Sequence, residues 1–328
     1  MEKMSSFERV AGNISETEKD EILKNKGRRF NDQTFEELED KEREKTPEEL
    51  QIISFINKST NEVRQRYGIE DFDIPPKNVH VVTEEKWPKE KSSAFFNSML
   101  QAIVMREKSP NIAFATIVFH EMLHFKSYTA AQITTGENPE LDNYRLGLRV
   151  HTRDGQSMYF VNLNEAVTEE MTKIFIKDLL NNELFVSDIK QTQTLMHKHP
   201  HAITASGDPL FDEDTYYAEV QGREPEGESA DQPSGNSSSS NVKISTKSFG
   251  YKQERRILND LIDKIFERNQ NEFQNREEVF EVFAKGMITG NILPVGRLIE
   301  ETFENGTLRQ IGELDNDIQA QEKFVSSL

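Results

Sequence analysis

The residues best placed to do chemistry in this chain are His120, Glu121 and His124, in the run His120-Glu121-Met122-Leu123-His124. On a helix of 3.6 residues per turn, positions four apart share a face, so both imidazoles point the same way. Two such nitrogens can share one zinc ion. Glu121 falls beside them, where its carboxylate can take a proton from metal-bound water. The chemistry this predicts is metal-assisted hydrolysis with a glutamate general base. The chain contains no Cys, so disulfides, thiolate ligands and a Cys nucleophile are all excluded. Any metal must be held by His and carboxylate.

Elements must form around this pair to position it. The stretch Asn111–Ala130 is almost continuously apolar from Ile112 to Phe119 and then runs straight into the two histidines, which predicts a buried helix. An ordinary buried helix without metal would carry the same lead-in. Upstream, Thr46-Pro47-Glu48-Glu49 reads as a helix start, with Leu50, Ile53, Ile56 and Val63 as one apolar stripe to about Tyr67. Val79–Val82 and Gln101–Met105 read as short strands. Downstream, Tyr144–His151 and Ser157–Leu163 flank an Asp154-Gly155 turn pair and predict a hairpin. The second strand leads into Asn164-Glu165-Ala166-Val167-Thr168-Glu169, expected to be helical to about Leu180, with Glu165 and Glu169 on one face.

A catalytic zinc usually has three protein ligands and one water. A third histidine of the metzincin pattern would stand at position 130, and Ala130 excludes it. Instead, His120-Glu121-x-x-His124 followed by Asn164-Glu165-Ala166-x-x-Glu169 resembles the gluzincins, the thermolysin-like clan of zinc metallopeptidases. The two motifs cover about 60 of the 328 residues. The resemblance implies zinc held by His120, His124 and Glu165, with Glu121 as general base and Glu169 orienting a ligand histidine. It also implies an α+β, zincin-like fold: a small mixed sheet, the active-site helix and a downstream glutamate helix. Gln101–Met105 could be the sheet edge that lines the cleft and pairs with an extended peptide. For the residue that steadies the oxyanion the candidates are Tyr251, His151, Tyr159 and the cluster His197-Lys198-His199-Pro200-His201, and Tyr251 is preferred.

The whole chain sets outer bounds. A net charge of −18 argues against non-specific nucleic-acid binding. There is no apolar core of a signal peptide near the N-terminus and no run of about 18 apolar residues, so a soluble, cytoplasmic protein without a membrane partner is expected. Residues 1–45 are polar and charged, with isolated Phe7, Val10, Ile14, Phe30 and Phe35, and read as a flexible arm. Residues 46–206 would form the catalytic core. Residues 207–245 read as an acidic Ser/Gly/Pro-containing loop, with nine acids against Arg223 between Gly207 and Gly235. Residues 246–328 read as amphipathic helices packing on the core, the first with Ile257, Leu258, Leu261, Ile262, Ile265 and Phe266 on one face. The expected function is zinc-dependent hydrolysis of a peptide or protein substrate. The alternative is a zincin-like regulatory or binding protein with little peptidase activity.

Overall fold

The computed structural model describes residues 6–34, 38, 40–88, 92–108, 110–179, 182–204, 206–221 and 243–328. In chain order the strands are β1 (Phe7–Ala11), β2 (Val79–Val82), β3 (Ala94–Asn97), β4 (Ala102–Arg106), β5 (Thr129–Ile133), β6 (Leu141–Leu146), β7 (Arg149–His151), β8 (Met158–Tyr159), β9 (Thr215–Gln221) and β10 (Lys243–Ser248). The α-helices are α1 (Glu16–Asn31), α2 (Pro47–Arg66), α3 (Asn111–Lys126), α4 (Val161–Asp178), α5 (Val186–Lys198), α6 (Lys252–Arg268), α7 (Arg276–Thr289), α8 (Leu293–Thr302), α9 (Thr307–Glu313) and α10 (Ile318–Ser327). The fold is α+β. Its strands form a five-stranded sheet in the order β1-β5-β6-β7-β8, a three-stranded sheet β2-β4-β3, and the β9–β10 hairpin.

Helix α3 is apolar on every side and is buried over Ile112–Phe119 except at Ile117, which explains why it lies between other elements instead of on a surface. Its first backbone donors lack a side-chain cap of their own. Ile112 N–H donates to Asp188 Oδ2 of α5 at 3.0 Å, which supplies an acceptor from outside. On one side α2 contributes Ile52, Ile53 and Ile56, all fully buried, while Leu50 of the expected stripe lies exposed. On the other, Phe119 stacks on Phe175 of α4 with ring centroids 3.8 Å apart. Leu258, Ile262 and Ile265 of α6, Phe283 of α7, Ile299 of α8 and Val325 of α10 belong to the same buried cluster as α3, so the C-terminal helices share its core.

Five expectations are corrected. The 1–45 arm is built into the fold over most of its described length: β1 pairs parallel with β5 from Phe7↔Thr129 to Ala11↔Gln132, and Phe7 and Val10 are buried. Ser15 and Glu18 then form a capping box that starts α1, whose Phe30 packs on Phe72 at 5.3 Å. Phe35 lies outside the described residues. Composition undervalued this segment because backbone pairing on a sheet edge needs few apolar residues.

The strand expected at the edge, now β4, is central: it pairs with β2 in parallel and with β3 antiparallel. The edges are β2 and β3, and β3, whose apolar run is too short to stand out, is the one beside Glu121. Tyr144–His151 is two strands, because Gly147 turns the chain between β6 and β7 with φ +59°. The expected second strand shrinks to β8, since α4 already begins at Val161. Finally, Tyr216 and Tyr217 of the expected acidic loop lie in β9, with Tyr217 buried and Tyr216 packed on Phe249 at 4.9 Å. The remainder of that loop, 222–242, lies outside the described residues.

Candidate metal centre

The site forms where the last turn of α3 meets the first turns of α4. His124 Nε2 lies 3.1 Å from His120 Nε2 and 3.2 Å from Glu165 Oε2, and His120 Nε2 lies 3.4 Å from the same oxygen. Atoms about 2.0–2.1 Å from one tetrahedral ion stand roughly 3.3 Å apart, so this triangle has the size a zinc ion needs. These three residues are the group of potential metal ligands found among the described residues. Both histidines are buried, and the donor set of two imidazoles and one carboxylate suits zinc.

His120 and the helix that carries Glu165 are held from behind. His120 Nδ1 lies 2.7 Å from Glu169 Oε2 and donates to it, which leaves the Nε2 lone pair facing the triangle. Glu169 Oε1 in turn accepts the Gly250 N–H at 2.5 Å. Asn164 Oδ1 accepts the Leu148 N–H at 2.9 Å, tying the β6–β7 turn to the start of α4 beside His124. That turn passes close by: a Cβ at Gly147 would stand 2.4 Å from Asn164 Oδ1. Asp315, from the turn before α10, accepts the Val161 N–H at 2.6 Å and the Asn162 N–H at 3.2 Å, so the C-terminal part caps the helix that presents Glu165.

Glu121 stands beside the triangle with Oε2 accepting the Phe96 N–H of β3 at 2.7 Å. Burial raises its carboxyl above the ordinary range, against the pull of His120 and His124. Burial alone would make His120 less basic, but its bonds to Glu165 and Glu169 push it well above the ordinary histidine value. Glu165 would likewise be raised by burial, yet His124 and His120 hold it well below the carboxylate range. Three carboxylates and two imidazoles thus share a buried space where positive charge is favoured, which a divalent cation would supply.

Tyr251 completes the constellation. Its ring lies parallel to His120, centroids 5.7 Å apart and planes 8° from each other. Its hydroxyl is raised above the ordinary phenol value, first by burial and then by the charges of Glu165 and Glu121. The backbone there is left-handed, φ 50°, an arrangement worth about 1–3 kcal/mol of strain for a non-glycine residue. The bond from Gly250 to Glu169 helps hold it. So does Arg255, whose Nε and Nη2 donate to Glu170 and Asp214, each at 2.8 Å; Lys173 also donates to Asp214, at 2.6 Å.

Of the other candidates for an oxyanion donor, His151 on β7 pairs with Asp142 at 3.3 Å, Tyr159 ends β8, and His197, His199 and His201 lie at and beyond the end of α5. None joins the triangle, and none lines the cleft among the described residues. Gly250 and Phe96 were not anticipated as site residues. Their contribution is a backbone N–H, for which a side-chain motif gives no signal. The cleft that opens onto His120 and Glu121 has a volume of about 370 Å³, with β3 on one wall and β10 and Tyr251 on the other.

No protein-family model matches this chain, and neither curated proteins nor solved structures give a match. The functional reading therefore rests on the residues themselves.

Proposed function

We propose that this chain is a zincin-like, gluzincin-type metallopeptidase that hydrolyses peptide bonds in a peptide or protein substrate, with zinc held by His120, His124 and Glu165. The observation that carries the proposal is the 3.1–3.4 Å triangle of two Nε2 atoms and one carboxylate oxygen, with Glu121 beside it and Glu169 behind His120.

A zinc ion there would supply Lewis acidity and would lower the pKa of a bound water toward neutrality. Glu121 accepts the proton of the attacking water and returns it to the leaving amine; its raised affinity for protons suits that shuttle. The Phe96 N–H keeps the carboxylate aimed at the triangle while it does so. Tyr251, protonated throughout the neutral range, donates from its hydroxyl to the oxyanion, a contribution typically worth ~3–4 kcal/mol. Glu169 fixes the His120 tautomer. Among the described residues β3 has no strand outside it, and that edge offers backbone groups to an extended peptide.

The test is hydrolysis of a mixed peptide pool by the purified protein, followed by mass spectrometry, with wild type beside Glu121→Gln. Cleavage by wild type, abolished by a chelator, restored by zinc and absent in Glu121→Gln, is expected. Equal cleavage by the two proteins would sink the assignment.

No helix among the described residues is long and apolar enough to cross a membrane. Residues 7–31 lie in the five-stranded sheet and α1, not on the cleft, so they give no support to a tethered inhibitor in the arm.

A further inference from the structure

The cleft has two chemically different ends. At the metal triangle the carboxylates of Glu121, Glu165 and Glu169 converge. At the other end, beyond Ala113 and Thr116 of α3, it is lined by Lys108, just after β4, and Lys247, on β10. Both lysines are half-buried, and neither has an ion pair or hydrogen bond among the described residues. The nearby Arg106, by contrast, is paired with Glu84 at 2.8 Å. Burial, then the charges of Arg106 and Lys247, hold Lys108 below the ordinary lysine value. Among the described residues, two ammonium groups without an ion pair or hydrogen bond therefore face one space, with Glu84 the carboxylate that acts on Lys108 from outside it. An anion placed there would relieve both desolvation and mutual repulsion.

The wall between the two ends indicates which anion. Ser93 O accepts the Arg106 N–H at 2.9 Å, so residue 93 faces β4, while Phe96 N–H points away from β4 to Glu121. Antiparallel alternation then turns the backbone groups of Ala94 outward as well, into the cleft. A peptide adding antiparallel to β3 passes Phe96 first and Ala94 second, so its C-terminal side runs toward the lysines. Ala113 to His120 spans seven residues of helix, about 10 Å, which an extended chain covers in roughly three residues.

Resting on the peptidase reading above, we propose that Lys108 and Lys247 form a subsite for a substrate carboxylate, two to three residues to the C-terminal side of the scissile bond. The carboxylate can belong to an Asp or Glu side chain or to the free end of the peptide. Lys108 and Lys247 are then specificity-determining residues, each donating to one carboxylate.

The test uses zinc-supplemented Glu121→Gln protein and two fluorescein-labelled decapeptide mixtures, identical except that one carries Glu and the other Gln at two fixed positions, each made with a free and an amidated C-terminus. The Glu mixture, or the free-ended peptides, should bind at least tenfold tighter than the neutral amidated mixture. That ratio should fall below twofold in the Lys108→Ala, Lys247→Ala double variant. It should survive Lys247→Arg, and also Lys243→Ala at the exposed start of β10. Loss on amidation assigns the carboxylate to the chain end, and loss on Glu-to-Gln exchange assigns it to a side chain. Equal binding of all mixtures, or a preference that survives the double substitution, overturns the subsite. Wild-type cleavage products are mapped in parallel: an acid found only to the N-terminal side of the cut overturns the assigned direction. Acid-dependent binding without any cleavage would contradict the peptidase reading and leave the lysine subsite standing. Cleavage without acid dependence would do the reverse.

Discussion

Glu169 Oε2 stands 2.7 Å from His120 Nδ1, while its other oxygen accepts the Gly250 N–H, so one carboxylate positions both the His120 imidazole and the turn that carries Tyr251. The two halves of the site, on α3 and at the start of α6, are coupled through a residue that touches neither a metal nor a substrate. Replacing Glu169 with Gln keeps an acceptor for Gly250 but not a full charge behind His120. Zinc affinity should fall about 10–100-fold. Glu169→Ala should in addition release the Tyr251 turn and lower turnover further than the lost affinity explains. Competition with a chromogenic chelator measures the first effect, and turnover at saturating zinc the second.

Tyr251→Phe removes the hydroxyl and keeps the ring stacked on His120. The expected result is a kcat about 10²–10³-fold lower with little change in KM or zinc content. A change confined to KM would instead make Tyr251 a binding residue.

How much of this could be read from the residues alone differs by part. The His120/His124 spacing and the Glu165/Glu169 spacing are fixed by helical period, and both helices form where that period placed them. Their meeting was less accessible. It depends on the turn at Gly147, the bond from Leu148 to Asn164 and the cap from Asp315, which lies 150 residues from Glu165. The α+β class was legible, but the edge strand was not. Ala94-Phe95-Phe96-Asn97 is only four residues long, whereas β4 carries the stronger β-branched signal because it is paired on both sides. The N-terminal arm was misread for a related reason: β1 is stabilised by backbone pairing with β5, which leaves little trace in composition.

Removal of residues 1–14 should therefore destabilise the protein instead of activating it. Burial of Phe7 and Val10 alone is worth about 3–6 kcal/mol by area, an upper bound for that burial because the unfolded chain buries some of the same surface already. Thermal unfolding should begin at lower temperature with no gain in peptide hydrolysis. A rise in hydrolysis at unchanged stability would restore an inhibitory role.

Asp214 provides a pH-dependent check on the scaffold behind Tyr251. Burial alone would raise its carboxyl, but the bonds from Arg255 and Lys173 lower it from 3.8 to about 2. A depressed folded value contributes stability that is fully present above the unfolded value and is lost as pH falls through the folded one. Asp214→Asn should cost ~3 kcal/mol at pH 6, since two buried cations lose a partner. The gap to wild type should narrow as pH drops from about 4 toward 2. Urea unfolding at a series of pH values reads this directly.

At Gly147, an added Cβ meets Asn164 Oδ1 at 2.4 Å and Met287 Cγ at 2.8 Å, on a backbone with φ +59°. Gly147→Ala should destabilise by about 2 kcal/mol or more. Because the displaced Asn164 adjoins Glu165, zinc affinity should fall with it.

Metal content decides whether His120, His124 and Glu165 hold zinc. Purified wild type, exchanged against zinc and freed of excess, should hold one zinc per chain by elemental analysis. Glu165→Ala should lose it, and Glu169→Ala should keep most of it at saturating zinc. A wild-type protein that retains no zinc, or variants of His120, His124 and Glu165 that retain it as wild type does, would show that this triangle is not a zinc site.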